Sequence, residues 1–547
     1  MERTTNVIVV LAALEKDALA RFSLQVFRVA EKAQLKDESE AELLDRFVSP
    51  TVRADLFHLE KCLAVEIRNH ASNPDTIIDA ALADEGVFAI WGPPGTGKTT
   101  LVVALLRRFL GEWAASGKLR PARVLVVAPT HVAVNEVLQR LLREDAALAN
   151  GVVRYVAQAS RIEGTSLVDL SQDRLLESWR SSALKPASGV DPTWRALVEA
   201  ENGNVSRGMR EALSRWVFAG RQVHAVTSMG MPRADFALLD KAFDLVVFDE
   251  AGKAFAPEIL LPAMRARRLV LVGDHKQLPP TVTEEMLADD SANRLDPQEV
   301  ESLLRNSYFH HLFQSLPDTR KAMLAVQHRM HPEIGAAVSE LFYEGRLKSS
   351  RQPGKWGGTR KRLTVIDCSD VPEYRHLRVV GKSLENPFER RLALELIAEL
   401  TTHGTCLVIC PYQAQRIAVE REIRMRRLHQ RVQTTTVDAV QGGEADIILL
   451  LMTRSRGNTN FLLDENRMNV ALSRARECAI VVGHVRALAG REGNPISRLL
   501  AHGSRAGSLL HFRAPPAGDI REDIVQRVVG EQTVSAHRVP PIWPRGV

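Results

Sequence analysis

The octet GPPGTGKT at positions 92–99 sets Gly92, Gly95, Gly97, Lys98 and Thr99 at the spacing of a phosphate-binding loop, directly after an apolar run, VFAIW at 87–91. Phosphate recognition needs these residue types. Glycines let consecutive backbone N–H groups turn inward around a β-phosphate, a lysine brings positive charge to the β/γ oxygens, and a threonine hydroxyl can ligate Mg²⁺. The candidate nucleotide loop is therefore Gly92, Pro93, Pro94, Gly95, Thr96, Gly97, Lys98, Thr99 and Thr100. The Ala/Leu-rich stretch from Thr100 to Leu110 predicts the helix whose N-terminus faces the phosphates.

Two further groups could act on a bound nucleotide. LVVF at 245–248 leads into Asp249-Glu250-Ala251, so that one carboxylate can hold Mg²⁺ and the other can polarise water. LVLV at 269–272 leads into Gly273-Asp274 and then Gln277-Leu278-Pro279-Pro280, which brings an amide toward a γ-phosphate. Acidic residues at strand ends are often merely solvated, and here the loop upstream decides for chemistry.

These residues must be positioned by strands. VFAIW, VLVVA (124–128), VHAVT (223–227), LVVF and LVLV alternate with helical segments. Near-continuous apolar strands of this kind belong to a parallel sheet covered on both faces, and ligands bind beyond their carboxyl ends. A second set follows in LTVID (363–367), CLVIC (406–410), DIILLL (446–451) and AIVV (479–482), with no sequence repeat between the two. The fold class expected is α/β.

Composition agrees with a folded, multi-unit chain. At 547 residues it exceeds one ordinary core, and 45% hydrophobic with 25% charged residues is the balance of a soluble globular protein. No apolar run reaches membrane-spanning length, and NVIVVLAAL near the start lacks a basic lead and meets Glu15, Lys16 and Asp17, so neither a membrane partner nor a secretory leader is expected. The five scattered cysteines fit a reducing compartment, and the cytoplasm is the expected location. Cys406 and Cys410 read as core residues, since no second pair follows at metal-site spacing. Net charge is +6, and two basic stretches, Lys348–Arg362 around Trp356 and Arg421–Arg431, are either solvated surface or polyanion contacts.

Taken in order, GPPGTGKT, VLVVAPTHVAVNEVL, DEAGKA, VGDHKQLPP, AVQHRMHPEI, VDAVQGGEADIILL and NVALSRAR resemble the motifs of superfamily 1 helicases, in the branch of the nonsense-mediated-decay and Okazaki-fragment helicases. SLENPFE (383–389) and CPYQAQ (410–415) add to the likeness. The resemblance implies two tandem RecA-like domains, with ATP hydrolysed in the cleft between them and single-stranded nucleic acid across their top. It implies an N-terminal helical region over 1–85, a first domain over 86–316 with a helical insertion near 139–220, a second over 322–490, and a partly disordered tail over 491–547. Catalytic roles fall to Lys98, Glu250, Gln277, Arg329 and Arg474. Glu250 would orient the attacking water, and Arg329 and Arg474 would act as arginine fingers. Thr99 and Asp249 would hold Mg²⁺, while His328, Gly442 and Glu444 would touch the nucleotide. Pro129, Thr130, Asn135, Thr227, Ser228, Pro411, Tyr412 and Thr436 would bind the strand backbone, with helix capping the alternative for Thr130 and Ser228.

Three features depart from the pattern. No glutamine lies between Gln34 and Gln139, where relatives read adenine, and His328 replaces a stacking tyrosine, so ATP is expected with other NTPs accepted. Lys253 replaces a glutamine that follows the Asp-Glu pair in relatives. The expected function is a strand-stimulated ATPase that translocates 5′ to 3′ on DNA or RNA and separates duplexes, as a monomer. The alternative is a nucleotide-gated clamp on single strands that does not unwind. No protein partner is read from the sequence.

Overall fold

The computed structural model describes residues 73–156, 161–183, 218, 220–233, 243–281, 307–352, 359, 361–440, 443–454, 462–490, 494–512 and 526–529. Most of the N-terminal region, much of the expected insertion and most of the tail, with Gly442, Cys62 and Trp356, lie outside them. The chain divides into two compact units. The first comprises Met1–Gly92, Lys98–His275 and Pro279–Leu324, and the second Pro93–Gly97, Lys276–Leu278 and Ala325–Val547.

Seven strands build the first unit: β1 (Gly86–Trp91), β2 (Val124–Ala128), β3 (Val152–Arg154), β4 (Val223–Thr227), β5 (Phe243–Phe248), β6 (Ala266–Gly273) and β7 (Lys321–Met323). They pair in the order β3-β4-β2-β5-β6-β1-β7, every ladder parallel. Alternate residues serve opposite faces, as a pleat of period two demands. Phe88, Ile90, Val124, Val126, Val270 and Val272 pack under the helices Pro74–Ala83, Lys98–Ala115 and His131–Glu144. Val87, Ala89, Leu125, Val127, Leu269 and Leu271 pack under Ala256–Ala263 and Tyr308–Ser315.

In the second unit a short ladder joins β8 (Val326–Gln327) to β9 (Lys348–Ser349). The main sheet contains β10 (Leu363–Asp367), an antiparallel hairpin of β11 (Arg378–Val380) and β12 (Ser383–Glu385) lies apart from it, and β13 (Cys406–Ile409), β14 (Val432–Thr435), β15 (Ala445–Leu451), β16 (Ala475–Gly483) and β17 (Leu509–His511) complete it. Its order is β14-β13-β15-β16-β10-β17, all parallel. Helices Pro387–Leu400 and Gln413–Met425 cover one face through Leu392, Leu396, Val419 and Ile423.

All nine apolar runs form strands, so the α/β fold of two parallel sheets is as expected. Eight short strands were not anticipated, four of them in the two main sheets. β3 falls inside the stretch expected to be helical, β7 and β14 flank their sheets, and β17 with helix Pro495–Arg505 lies within the tail expected to be partly disordered. Cys406 and Cys410 are both buried in the apolar core.

One buried carboxylate ties the second unit together. Glu389 begins helix Pro387–Leu400, its N–H capped by Asn386 Oδ1 at 3.0 Å. Oε1 accepts from Tyr374 Oη at 2.5 Å and Thr453 N at 2.8 Å; Oε2 accepts from Gln415 Nε2 at 2.9 Å and Thr453 Oγ1 at 3.1 Å. Thr453 adopts φ +63, rare for a β-branched residue, with its N–H and its hydroxyl both directed at Glu389. Burial raises the Glu389 pKa from 4.5 to about 7, opposed by the bonds from Tyr374, Thr453 and Gln415. A raised folded pKa contributes stability fully present below 4.5 and lost as pH rises through about 7. Melting temperature followed from pH 5 to 8 should therefore fall more steeply for the wild type than for Glu389→Gln. The variant, whose amide turns an N–H toward existing donors, should itself lose roughly 1–3 kcal/mol.

Candidate functional site

The site begins at the carboxyl ends of β1, β5 and β6. Gly92 N donates to Gly273 O at 2.9 Å, which fixes the loop after β1 to the end of β6. Lys98, the first residue of helix Lys98–Ala115, folds Nζ back onto Gly92 O at 2.8 Å, and a Cβ on Gly92 would collide with the lysine chain. Gly95 and Gly97 adopt φ +71 and +81, the conformation that turns loop N–H groups inward. Thr96 is buried, its hydroxyl on Pro93 O at 2.7 Å, whereas Thr99 is partly exposed and Thr100 exposed.

Beyond β5, Asp249 N donates to Val127 O at 2.8 Å, and Asp249 Oδ1 accepts from Glu250 N at 2.9 Å. Asp249 is 3% exposed; burial first, then the charge of Glu250, pushes its pKa up, against the pull of Lys98. A buried carboxylate beside a second one calls for a cation, and with the glycine cradle and Lys98 these residues fit a Mg²⁺-bound nucleotide. Glu250 is held at φ 55 and ψ 35, and the chain then enters a short 3₁₀ turn, Ala251–Lys253. The turn lies against the end of β6 so closely that a Cβ on Gly252 would clash with the Asp274 carbonyl and one on Gly273 would stand 2.6 Å from Gly252 N.

Within the second unit, Gln327 is the organising residue that the sequence did not single out. It is buried; Oε1 accepts from Arg329 N at 2.9 Å and Met330 N at 2.7 Å, while Nε2 donates to Met330 O at 2.9 Å and Ser349 Oγ at 2.7 Å. This clamp presents Arg329, whose Nε donates to Glu444 Oε2 at 2.5 Å and whose Nη1 donates to Ser473 O at 3.2 Å. Glu444 also accepts from Arg476 Nε at 2.9 Å. Burial would raise the Glu444 pKa, but Arg329 and Arg476 outweigh it and hold it below the usual glutamate value. Glu444 therefore orients arginines. Arg474 Nη2 donates to Gln277 Oε1 at 3.3 Å, both residues being buried. His328 donates its N–H to Gly95 O at 2.8 Å; its exposed ring meets Ser350 Oγ through Nδ1 at 2.6 Å.

The residues expected to touch a strand are less uniform. Thr130 is the N-cap of helix His131–Glu144, accepting from Ala133 N at 3.3 Å, and Asn135 Oδ1 accepts from Arg154 Nε at 3.1 Å. Arg154 is fully buried, and burial lowers its pKa to about 10. Thr227 Oγ1 accepts from Gly230 N at 3.2 Å, and Ser228, 2% exposed, donates to Glu258 Oε1 at 2.5 Å. Pro129, Pro411, Tyr412 and Thr436 are partly exposed at strand ends or just beyond them. Among the described residues of the basic stretches, several are engaged within the protein. Arg351 donates to Arg329 O and Arg476 O and pairs with Glu477, Lys361 donates to Ala506 O, Arg424 pairs with Glu420, and Arg426 pairs with Glu395. Among the described residues no cluster of three or more metal-binding side chains occurs, and no helix is long and apolar enough to cross a membrane.

Parallel sheets with a glycine-rich loop after β1 and carboxylates after β5 define a P-loop NTPase fold. A family model described as an AAA domain matches residues 71–185 and 193–285, and another of the same description matches 304–486. The regulator of nonsense transcripts 1 homolog of Drosophila melanogaster is 28% identical over 481 residues, covering 82% of this chain and 37% of that protein. The ATP-dependent helicase NAM7 of Saccharomyces cerevisiae is 28% identical over 446 residues (77% and 42%), and the DNA-binding protein SMUBP-2 of Rattus norvegicus is 27% identical over 435 (74% and 42%). The chain belongs to the superfamily 1 helicases, in the branch that includes the regulators of nonsense transcripts. It spans about two fifths of the length of these curated relatives.

The packing of Gly252 on Asp274 gives a direct test. Gly252→Ala should cost roughly 1–3 kcal/mol through overpacking, read as a lower melting temperature, because the obstructing atom is backbone and cannot rotate away.

Proposed function

We propose that this chain is an ATP-driven helicase or translocase acting on single-stranded nucleic acid, moving 5′ to 3′. The observation that carries the reading is the Asp249–Glu250 pair at the end of β5, in the same unit as Lys98, together with Arg329 held by Gln327 and Glu444. A passive clamp has no use for a water-orienting carboxylate and oriented arginines.

In this reading Lys98 and the loop N–H groups bind the β- and γ-phosphates, and Thr99 and Asp249 hold Mg²⁺, which when bound neutralises phosphate charge. Glu250 orients water and takes its proton as the oxygen attacks the γ-phosphorus and the bond to the β-phosphate oxygen breaks. Gln277 answers to the γ-phosphate, and Arg474 and Arg329 stabilise the charge that develops. The family pattern sets this chemistry in a cleft between two RecA-like domains. Glu444, assigned to the nucleotide contacts with Gly442, also aligns Arg329. Pro129, Thr130, Asn135, Thr227 and Ser228 of the first unit, and Pro411, Tyr412 and Thr436 of the second, are the proposed contacts to a sugar-phosphate chain; Thr130, Asn135, Thr227 and Ser228 also bond within the protein. ATP is the proposed nucleotide, with other NTPs accepted, and the cytoplasm the proposed location.

The test is ATP hydrolysis with and without single-stranded DNA or RNA, followed by unwinding of duplexes bearing 5′ or 3′ overhangs. Strand-stimulated hydrolysis and unwinding from a 5′ overhang are expected. Stimulation without unwinding would favour the clamp, and no stimulation by either polymer would refute both. Arg474→Ala should keep nucleotide affinity while strand-stimulated kcat falls by about 10³-fold, the lower range for an arginine finger; an equal loss of binding would show that Arg474 is not one.

A further inference from the structure

Lys253 lies three residues beyond Glu250, and its ammonium is engaged: Nζ lies 3.2 Å from Glu250 Oε2, with side-chain exposures of 20% and 27%. Three features make the pairing a property of the fold. Lys253 N donates to Glu250 O at 3.0 Å, closing the 3₁₀ turn that sets the two side chains on one side. Glu250 is held at φ 55, and Gly252 between them rests on the backbone of Asp274 with no room for a Cβ. The pair thus forms within one rigid turn, at little entropic cost and partly shielded from solvent, where an ion pair is worth more than at an open surface.

We propose that Lys253 is a positioning residue for Glu250 and a brake on hydrolysis when no strand is bound. The inference rests on the reading of Glu250 as the residue that orients water. With Oε2 held by the ammonium inside the turn, the Glu250 carboxylate is oriented by Lys253, and release of that contact is what frees it to orient water. A neutral side chain at position 253 would impose no such charge.

The surroundings supply a route for release. Two residues after Lys253, Phe255 N donates to Glu258 Oε2 at 2.9 Å, and Glu258 Oε1 accepts from Ser228 Oγ at 2.5 Å. The turn that carries Lys253 is therefore joined to the loop after β4, which belongs to the proposed strand surface. A strand that shifts this loop draws on the Glu258 box and with it on Lys253, and a strand phosphate is itself a competing partner for the ammonium.

The test compares wild type, Lys253→Gln, Lys253→Arg and Glu250→Gln in ATP hydrolysis without a strand and with poly(dT) or poly(U). Affinity for a fluorescent ATP analogue and melting temperature are measured alongside. Expected for Lys253→Gln is a rise of about three- to tenfold in kcat without strand, equivalent to ~0.7–1.4 kcal/mol in the barrier, with KM and analogue affinity unchanged. Stimulation by the strand should shrink by the same factor, while Lys253→Arg restores the wild-type ratio. Unchanged or reduced strand-free kcat in Lys253→Gln, or an arginine variant that behaves like the glutamine one, overturns the brake while the hydrolytic reading stands. Full hydrolysis in Glu250→Gln overturns both, and is distinguished by that variant alone.

Discussion

The first unit depends on one close approach: the turn Ala251–Lys253 lies directly on the end of β6, backbone against backbone at Gly252, Gly273 and Asp274. Side chains at either glycine would force β5 and β6 apart at their carboxyl ends, where a parallel sheet presents its ligands. The same glycine carbonyl accepts the N–H of Gly92, so the nucleotide loop takes its position from that point as well. Asp249, Glu250 and the root of the loop are thus set by a few backbone contacts rather than by long, flexible side chains. Electrostatic catalysis benefits from such rigidity, since dipoles and charges already in place need not reorganise during reaction.

In the second unit, orientation of arginine is the governing problem. An arginine side chain carries about 2 kcal/mol of rotamer entropy, so an unsupported one would seldom point where charge develops. Arg329 is constrained at both ends, its backbone by Gln327 and its guanidinium by Glu444 and the Ser473 carbonyl. Gly95 belongs to the same arrangement, because a Cβ there would stand 2.6 Å from the Arg329 Cβ. The glycine of the phosphate loop is needed for its φ of +71 and for the space it leaves.

Much of this was legible in the sequence, for identifiable reasons. The nine long apolar runs are buried on both faces and carry their own signal, and the phosphate loop is local, with spacing and context within twenty residues. β3 and β17 escaped because each has three residues and sits at a sheet edge, where a single neighbour suffices to define a strand. The roles of Gln327, Ser349 and Glu444 escaped for another reason. Glu444 meets Arg329 across 115 positions of chain, and no local pattern marks such a pairing. Ser228 shows the reverse: a hydroxyl after a strand reads as a ligand contact until its burial against Glu258 is seen.

Charge illustrates the same limit and bears on how a strand would be held. The +6 excess and the two basic stretches suggest a polyanion surface, yet within those stretches Arg351, Lys361, Arg424, Arg426 and Arg431 each bond to carboxylates or carbonyls of the protein itself. Affinity from counterion release scales with the number of phosphates neutralised, so cations engaged internally contribute less to it than their number implies. Pro129 and Thr130 of the first unit and Pro411, Tyr412 and Thr436 of the second, proposed above as strand contacts, carry no charge themselves. Contacts of that kind position a sugar-phosphate chain without reading its bases. They also suit the motor proposed above, since a chain held by many weak, directional bonds can be released and retaken in each nucleotide cycle, whereas one held by dense positive charge would resist every step.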